Sequence, residues 1–217
     1  MKFFIDSANL DEIADSYSYG IIDGVTTNPS LMAKNGQNPK EVLKEICQIA
    51  SSNVSAEVYS EDFENILKEA DILYSISEKI VVKLPMTIDG IKACKKLSMQ
   101  KLRTNVTLCF SPTQALLAAK AGATYVSPFI GRLEDNGEDG MNLIHDIKQI
   151  FMNNSELNTQ ILAASIRNVR HVVDAAKIGV DVATLPFKII KKLYHHELTE
   201  QGLDKFRQDA NQSMPII

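Results

Sequence analysis

Short runs rich in β-branched and aromatic residues recur about every twenty to thirty positions along this chain, and each gives way to apolar residues at helical spacing. That alternation predicts crossover units on a parallel sheet. The predicted strands are Lys2–Asp6, Gly24–Thr27, Ser55–Val58, Ile80–Leu84, Asn105–Phe110, Thr124–Pro128, Gln160–Ala164 and Val182–Leu185. Eight such units in an α/β chain predict a (β/α)8 TIM barrel. An open doubly wound sheet is the alternative, but Asp6-Ser7-Ala8-Asn9-Leu10 lacks the glycine-rich phosphate loop expected after its first strand.

The helical stretches carry their own punctuation. Asn38-Pro39-Lys40-Glu41 and Ser111-Pro112-Thr113-Gln114 read as capping boxes with proline at the first helical position. Gly122 and Gly179 stand where C-terminal caps belong. Phe63, Ile66, Leu67, Ala70, Leu73 and Tyr74 follow helical spacing, as do Val169, Val172, Val173 and Ala176, so both sets are expected to face the core. Beyond the eighth unit, residues 198–217 form a C-terminal tail with a predicted helix over Leu203–Ala210. Such a tail covers the barrel bottom or reaches a neighbouring subunit.

With 217 residues and 45% hydrophobic content, the chain fits one barrel domain over residues 1–217. Its net charge of −4 and lack of a basic block give no support to nucleic-acid or membrane-surface binding. No secretory signal or membrane span is predicted. Cys47, Cys94 and Cys109 lie in apolar segments and read as reduced core residues, which places the protein in the cytoplasm. The four histidines show no zinc-like spacing, and Asn136-Gly137-Glu138-Asp139-Gly140 does not match a calcium loop, so no metal is expected.

Lys83 changes the picture, because it interrupts the apolar run Ile80-Val81-Val82-Lys83-Leu84-Pro85. A buried ammonium is costly unless it is paired, neutralised or used in chemistry. An amine must be neutral to attack a carbonyl, and an ordinary lysine with pKa about 10.4 is neutral in only about one molecule in 2,500 at pH 7. An apolar strand disfavours the charge, which makes Lys83 a candidate Schiff-base nucleophile. A lone strand lysine more often snorkels to the surface.

In a parallel barrel, polar residues at the C-terminal strand ends converge. Here they are Asp6, Thr27, Asn28, Glu57, Lys83, Asn105, Thr107, Ser127, Phe129, Arg132, Ser165 and Arg167. Each has a plainer explanation when taken singly. Asp6 could cap the first helix, Thr27 and Asn28 could be a turn, Glu57 could pair with Lys83 without chemistry, and Arg132 could pair with the acidic loop after it. Gathered on one rim, they describe a carbonyl-chemistry site for a phosphorylated substrate.

The segments FIDSANLDEI, GVTTNPSL, VVKLPMT, NVTLCFSPTQALLAAKAGATYVSPFIGR, ILAASIRNV and GVDVATLP resemble the small-subunit branch of the transaldolase family, which includes the fructose-6-phosphate aldolases. The resemblance covers nearly the whole chain. It implies a (β/α)8 barrel that forms a Schiff base at Lys83 and transfers a dihydroxyacetone unit between sugar phosphates, the step that serves the pentose phosphate pathway. No metal or organic cofactor is implied. Donors would be fructose 6-phosphate or sedoheptulose 7-phosphate, and acceptors erythrose 4-phosphate or glyceraldehyde 3-phosphate.

By the same resemblance, Asp6 is the base for the C4 hydroxyl, and Glu57 shuttles protons with a water oriented by Thr107. Asn28, Asn105 and Ser127 hold the dihydroxyacetone fragment, Arg132, Ser165 and Arg167 bind phosphate, and Thr27 and Phe129 are further substrate-binding residues. The fructose-6-phosphate aldolases carry glutamine where Glu57 stands and tyrosine where Phe129 stands, so the resemblance favours transfer over free aldol cleavage. The competitors are such an aldolase and a non-catalytic barrel that binds sugar phosphates. The resemblance also implies a homo-oligomer, a pentamer-based decamer, with the tail exchanged between subunits.

Overall fold

The computed structural model describes residues 1–34, 36 and 38–211. Its strands close into one parallel barrel in chain order: β1 (Lys2–Asp6), β2 (Gly24–Thr26), β3 (Val54–Glu57), β4 (Ile80–Pro85), β5 (Thr104–Cys109), β6 (Tyr125–Pro128), β7 (Gln160–Ala163) and β8 (Val182–Leu185). Every predicted strand is present, with ends displaced by no more than one residue. The helices are α1 (Leu10–Ser18), α2 (Pro29–Lys34), α3 (Pro39–Ile49), α4 (Phe63–Tyr74), α5 (Ile88–Met99), α6 (Pro112–Ala121), α7 (Ile130–Asp135), α8 (Gly140–Met152), α9 (Val169–Ile178), α10 (Phe187–Leu193) and α11 (Glu197–Ala210).

The caps form at the predicted termini, but not as reciprocal capping boxes: the Gln114 side chain accepts from the Phe110 N–H instead of the Ser111 N–H, and Asn38 caps the Lys40 N–H instead of the Glu41 N–H. Asn38 accepts a hydrogen bond from the Lys40 N–H, Ser111 accepts from the Gln114 N–H, and Gly122 and Gly179 close α6 and α9 at φ 89° and 82°. The face of α9 differs from expectation. His171, Val172 and Ala175 are its buried residues, whereas Val173 is 41% exposed. A hydrophobic count treats His171 as polar, yet hydrogen bonds allow it to be buried, and its inclusion rotates the core face. The three cysteines are free and buried.

Successive residues of a strand point to opposite faces, so positions two apart share one. Phe4, Val81, Tyr125, Leu162 and Val182 form a cluster of their own, and the Phe4 and Tyr125 rings meet edge-on at 5.9 Å. Gly24 makes room for it, because a Cβ there would lie 2.7 Å from the Phe4 ring. Two residues further along β1, β4, β6 and β8 stand Asp6, Lys83, Ser127 and Thr184. The apolar cluster therefore floors a layer of polar side chains near the C-terminal strand ends.

The tail helix α11 starts at Glu197, earlier than the predicted Leu203, and buries none of its residues. Residues 212–217 of the predicted tail lie outside the described residues. No helix among the described residues is long and apolar enough to cross a membrane.

Candidate active site

Strand register creates the inner part of the site. Glu57 pairs with Lys83 across β3 and β4, and Lys83 pairs with Asn105 across β4 and β5, which sets three polar residues abreast. Lys83 is 6% exposed, so it does not snorkel. Its Nζ lies 2.9 Å from Glu57 Oε2 and donates to the Thr27 carbonyl at 3.2 Å. The lysine is therefore paired, and Glu57 is placed to exchange a proton with it directly.

Asp6 faces the same space from β1. Burial raises its carboxyl above the usual carboxylate range; the Lys83 charge and a hydrogen bond from Thr26 act in the opposite direction, and Glu57 adds to the rise. Thr26 Oγ1 donates to Asp6 Oδ1 at 3.0 Å and lies 2.5 Å from Thr184 Oγ1. Since a hydroxyl has one proton, Thr184 donates to Thr26 in that arrangement. Asp6 does not cap α1; Asn9 does, by accepting from the Glu12 N–H.

The neighbouring polar groups are fixed by one another. Ser127 Oγ donates to Asn105 Oδ1 at 2.7 Å, and Asn105 Nδ2 donates to Ser55 Oγ at 3.3 Å. Thr107 Oγ1 is buried and has no hydrogen-bond partner among the described residues. After Thr107, Leu108 adopts φ 58° and the β5–β6 register shifts, a bulge of the kind that redirects side chains beside active sites.

The outer part is built on loops and short helices. The Arg132 guanidinium lies 5.0 Å from the Phe129 ring centre, and Phe129 packs on Phe110 with centroids 5.6 Å apart. Arg167 Nη2 lies 2.6 Å from Asp135 Oδ2, so it is Arg167, not Arg132, that pairs with the acidic segment. Ser165 is left-handed at φ 58°, and its carbonyl accepts from the Gly131 N–H at 3.0 Å. A Cβ on Gly131 would meet Arg167 Cγ at 2.4 Å and Ser165 O at 2.5 Å, so glycine permits α7 to touch this loop. Buried His171 ties the parts together: Nδ1 accepts from the Arg167 N–H at 3.3 Å, leaving Nε2 to donate to Glu134 Oε1 at 3.0 Å.

A cavity of about 250 Å³ joins inner and outer parts. Asp6, Asn28, Lys83 and Ser127 line it, as do Phe129, Arg132, Ser165 and Arg167. Glu57 and Thr27 instead line an adjoining apolar cavity of about 260 Å³, which Asn28 also borders. Asn105 and Thr107 stand behind the lining, on β5. Thr26, Thr184 and Lys188 also line the main cavity although the sequence reading did not select them. Thr184 was detectable in principle as the inward neighbour two residues after Val182.

A barrel with these convergent groups at one end has the form of an enzyme that handles a small polar substrate. Residues 3–215 match the family described as transaldolase/fructose-6-phosphate aldolase. Proteins named probable transaldolase from Thermodesulfovibrio yellowstonii and Bartonella henselae are each 56% identical to it, over 96% of this chain and 97% and 96% of their own. Another so named, from Caldicellulosiruptor saccharolyticus, is 54% identical over 96% of both chains. The chain belongs to the transaldolase/fructose-6-phosphate aldolase family of enzymes.

Proposed function

We propose that the chain transfers a dihydroxyacetone unit from a ketose phosphate to an aldose phosphate through a Schiff base at Lys83. The observation that carries this reading is the ion pair of buried Lys83 with partly buried Glu57 at 2.9 Å, in the layer that also holds Asp6. Glu57 takes a proton from the ammonium, and the freed amine attacks the C2 carbonyl. Protonation and loss of the carbinolamine hydroxyl as water give the iminium. The Thr107 hydroxyl, which has no hydrogen-bond partner among the described residues, supports its assignment to that water. Asp6 then removes the C4 hydroxyl proton, the C3–C4 bond breaks, and its electron pair enters the iminium to give an enamine. The acceptor aldehyde is attacked by enamine C3, Asp6 returns the proton to the new alkoxide, and water releases the product.

Asn28 and Ser127 hold the three-carbon fragment in this scheme, with Asn105 behind the lining fixing Ser127 and Thr27 a further substrate-binding residue beside Lys83, while Arg132, Ser165 and Arg167 hold phosphate. Phe129 cannot donate a hydrogen bond to the iminium's water, which supports transfer over release of free dihydroxyacetone. Borohydride reduction in the presence of fructose 6-phosphate tests the scheme. A three-carbon adduct on Lys83 is expected; labelling elsewhere, or none, would overturn it.

The reading extends to the assembly and its setting. Residues 1–217 act as one barrel domain in the cytoplasm, a setting supported by the free buried thiols. A homo-oligomer, a pentamer-based decamer, is supported by α11, which buries none of its residues and exposes Leu198, Leu203 and Phe206. Light scattering before and after truncation at Leu198 tests it: an unchanged mass would remove the tail from the interface.

A further inference from the structure

We infer that Lys188 is a phosphate-binding residue of the outer end and helps to set the preference for phosphorylated sugars. The inference rests on the proposed phosphorylated substrate, and a charge balance carries it. A phosphate monoester brings about −1.5 to −2 charge at neutral pH. Arg167 already faces Asp135 at 2.6 Å, and Lys83 faces Glu57 at 2.9 Å, so neither pair supplies a whole unmatched positive charge. Arg132, over the Phe129 ring, forms no ion pair among the described residues and supplies one. The guanidiniums alone therefore leave the outer end about half to one charge short.

Lys188 makes up that difference. It lines the same cavity as Arg132 and Arg167, from the helix that follows β8 almost at once. Ile189 and Ile190 beside it are buried and anchor α10, while Lys188 itself is exposed. Among the described residues its ammonium has no hydrogen bond or ion pair. Its neighbour Lys191 differs, because that ammonium sits 4.3 Å from the centre of the Phe187 ring. A flexible point charge of this kind can follow phosphate as donor and acceptor exchange, where a rigid guanidinium fork would favour one pose.

The test compares kcat/KM for fructose 6-phosphate and for fructose in wild type, Lys188→Gln, Lys188→Arg and Arg132→Gln, with inorganic phosphate as a competitive inhibitor. Lys188→Gln is expected to lower the preference for the phosphorylated sugar about tenfold, mainly through KM. It should weaken inhibition by phosphate by a similar factor, and Lys188→Arg should recover most of both. Arg132→Gln lowering the preference while Lys188→Gln leaves both readouts unchanged would overturn the assignment of Lys188 alone. An equal loss on both sugars would also overturn it, by making Lys188 structural. If neither variant shifts preference or inhibition, the phosphate reading of the cavity falls as well.

Discussion

The two ends of the main cavity are built from different materials. At the inner end, Lys83 is a strand residue set by register abreast of Glu57, in the wall of the adjoining cavity, and of Asn105, behind the lining, and the lysine is almost wholly buried. At the outer end, Arg167 and Asp135 sit on a loop and a short helix, with side chains 51% and 57% exposed. Bond formation requires reacting atoms held within a fraction of an ångström, which a closed sheet provides. Anion binding depends on charge that falls off slowly with distance, so it tolerates mobile supports. What precision the outer end has comes from local devices: the left-handed Ser165, the Gly131 contact and the His171 tie.

Breaking the inner end should cost most. Asp6→Asn removes the proposed base and is expected to lower kcat by about 10²- to 10⁴-fold, measured as transfer from fructose 6-phosphate to erythrose 4-phosphate. Stability should move the other way. Because the folded carboxyl is raised, between the ordinary carboxylate range and its folded value the folded chain keeps a proton that the unfolded chain has released. Stability is therefore lost as pH rises through that window, and the ionised Asp6 opposes folding at neutral pH. Thermal unfolding at pH 7 should give Asp6→Asn a higher Tm than wild type. A lower Tm together with full activity would remove Asp6 from the mechanism and make it a structural residue.

Breaking the outer end should cost less and should be selective. Hydrogen bonds to charged groups contribute about 1.5–3 kcal/mol, so Arg167→Ala is predicted to lower kcat/KM for a phosphorylated donor by about 10- to 150-fold. Borohydride trapping of an unphosphorylated donor on Lys83 should be affected far less. Equal losses with and without phosphate would mean that the two ends are one mechanical unit, through the Arg167 N–H to His171 and its contact with Glu134.

Sequence patterns revealed these ends unequally. Alternation along each strand, with one lysine inside an apolar run, was enough to place Lys83, Asp6 and Glu57 on a common rim, because register follows from a parallel barrel. The same logic could have reached Thr184, two positions after Val182. It could not foresee that Arg167 rather than Arg132 takes the acidic partner, since that depends on the path of a loop held by Ser165 and Gly131. His171 was hidden for a related reason: its burial is satisfied by hydrogen bonds from Arg167 and to Glu134, residues distant from any periodic pattern. Lys188 belongs to a helix with three lysines, and charge spacing alone does not show which one faces a cavity.

The smallest predicted effect sharpens the inner end. Thr184 donates to Thr26, and Thr26 in turn donates to Asp6, so the Asp6 carboxylate is steadied by a relay that begins on β8. Thr184→Val keeps the volume and removes the donor. Thr26 then loses the group that orients it, and its hydrogen bond to the carboxylate weakens. That bond lowers the Asp6 pKa, so its weakening should raise the pKa further. A base works only when ionised, so the acid limb of kcat/KM against pH should move to higher pH. A typical hydrogen bond contributes about 0.5–1.5 kcal/mol, and the indirect loss should shift the limb by less than about one pH unit. Thr184→Ser retains the hydroxyl and should keep the limb near its wild-type position. An unmoved limb in Thr184→Val would mean that the threonine pair only fills the barrel, and that Asp6 is held by Lys83 and the sheet alone.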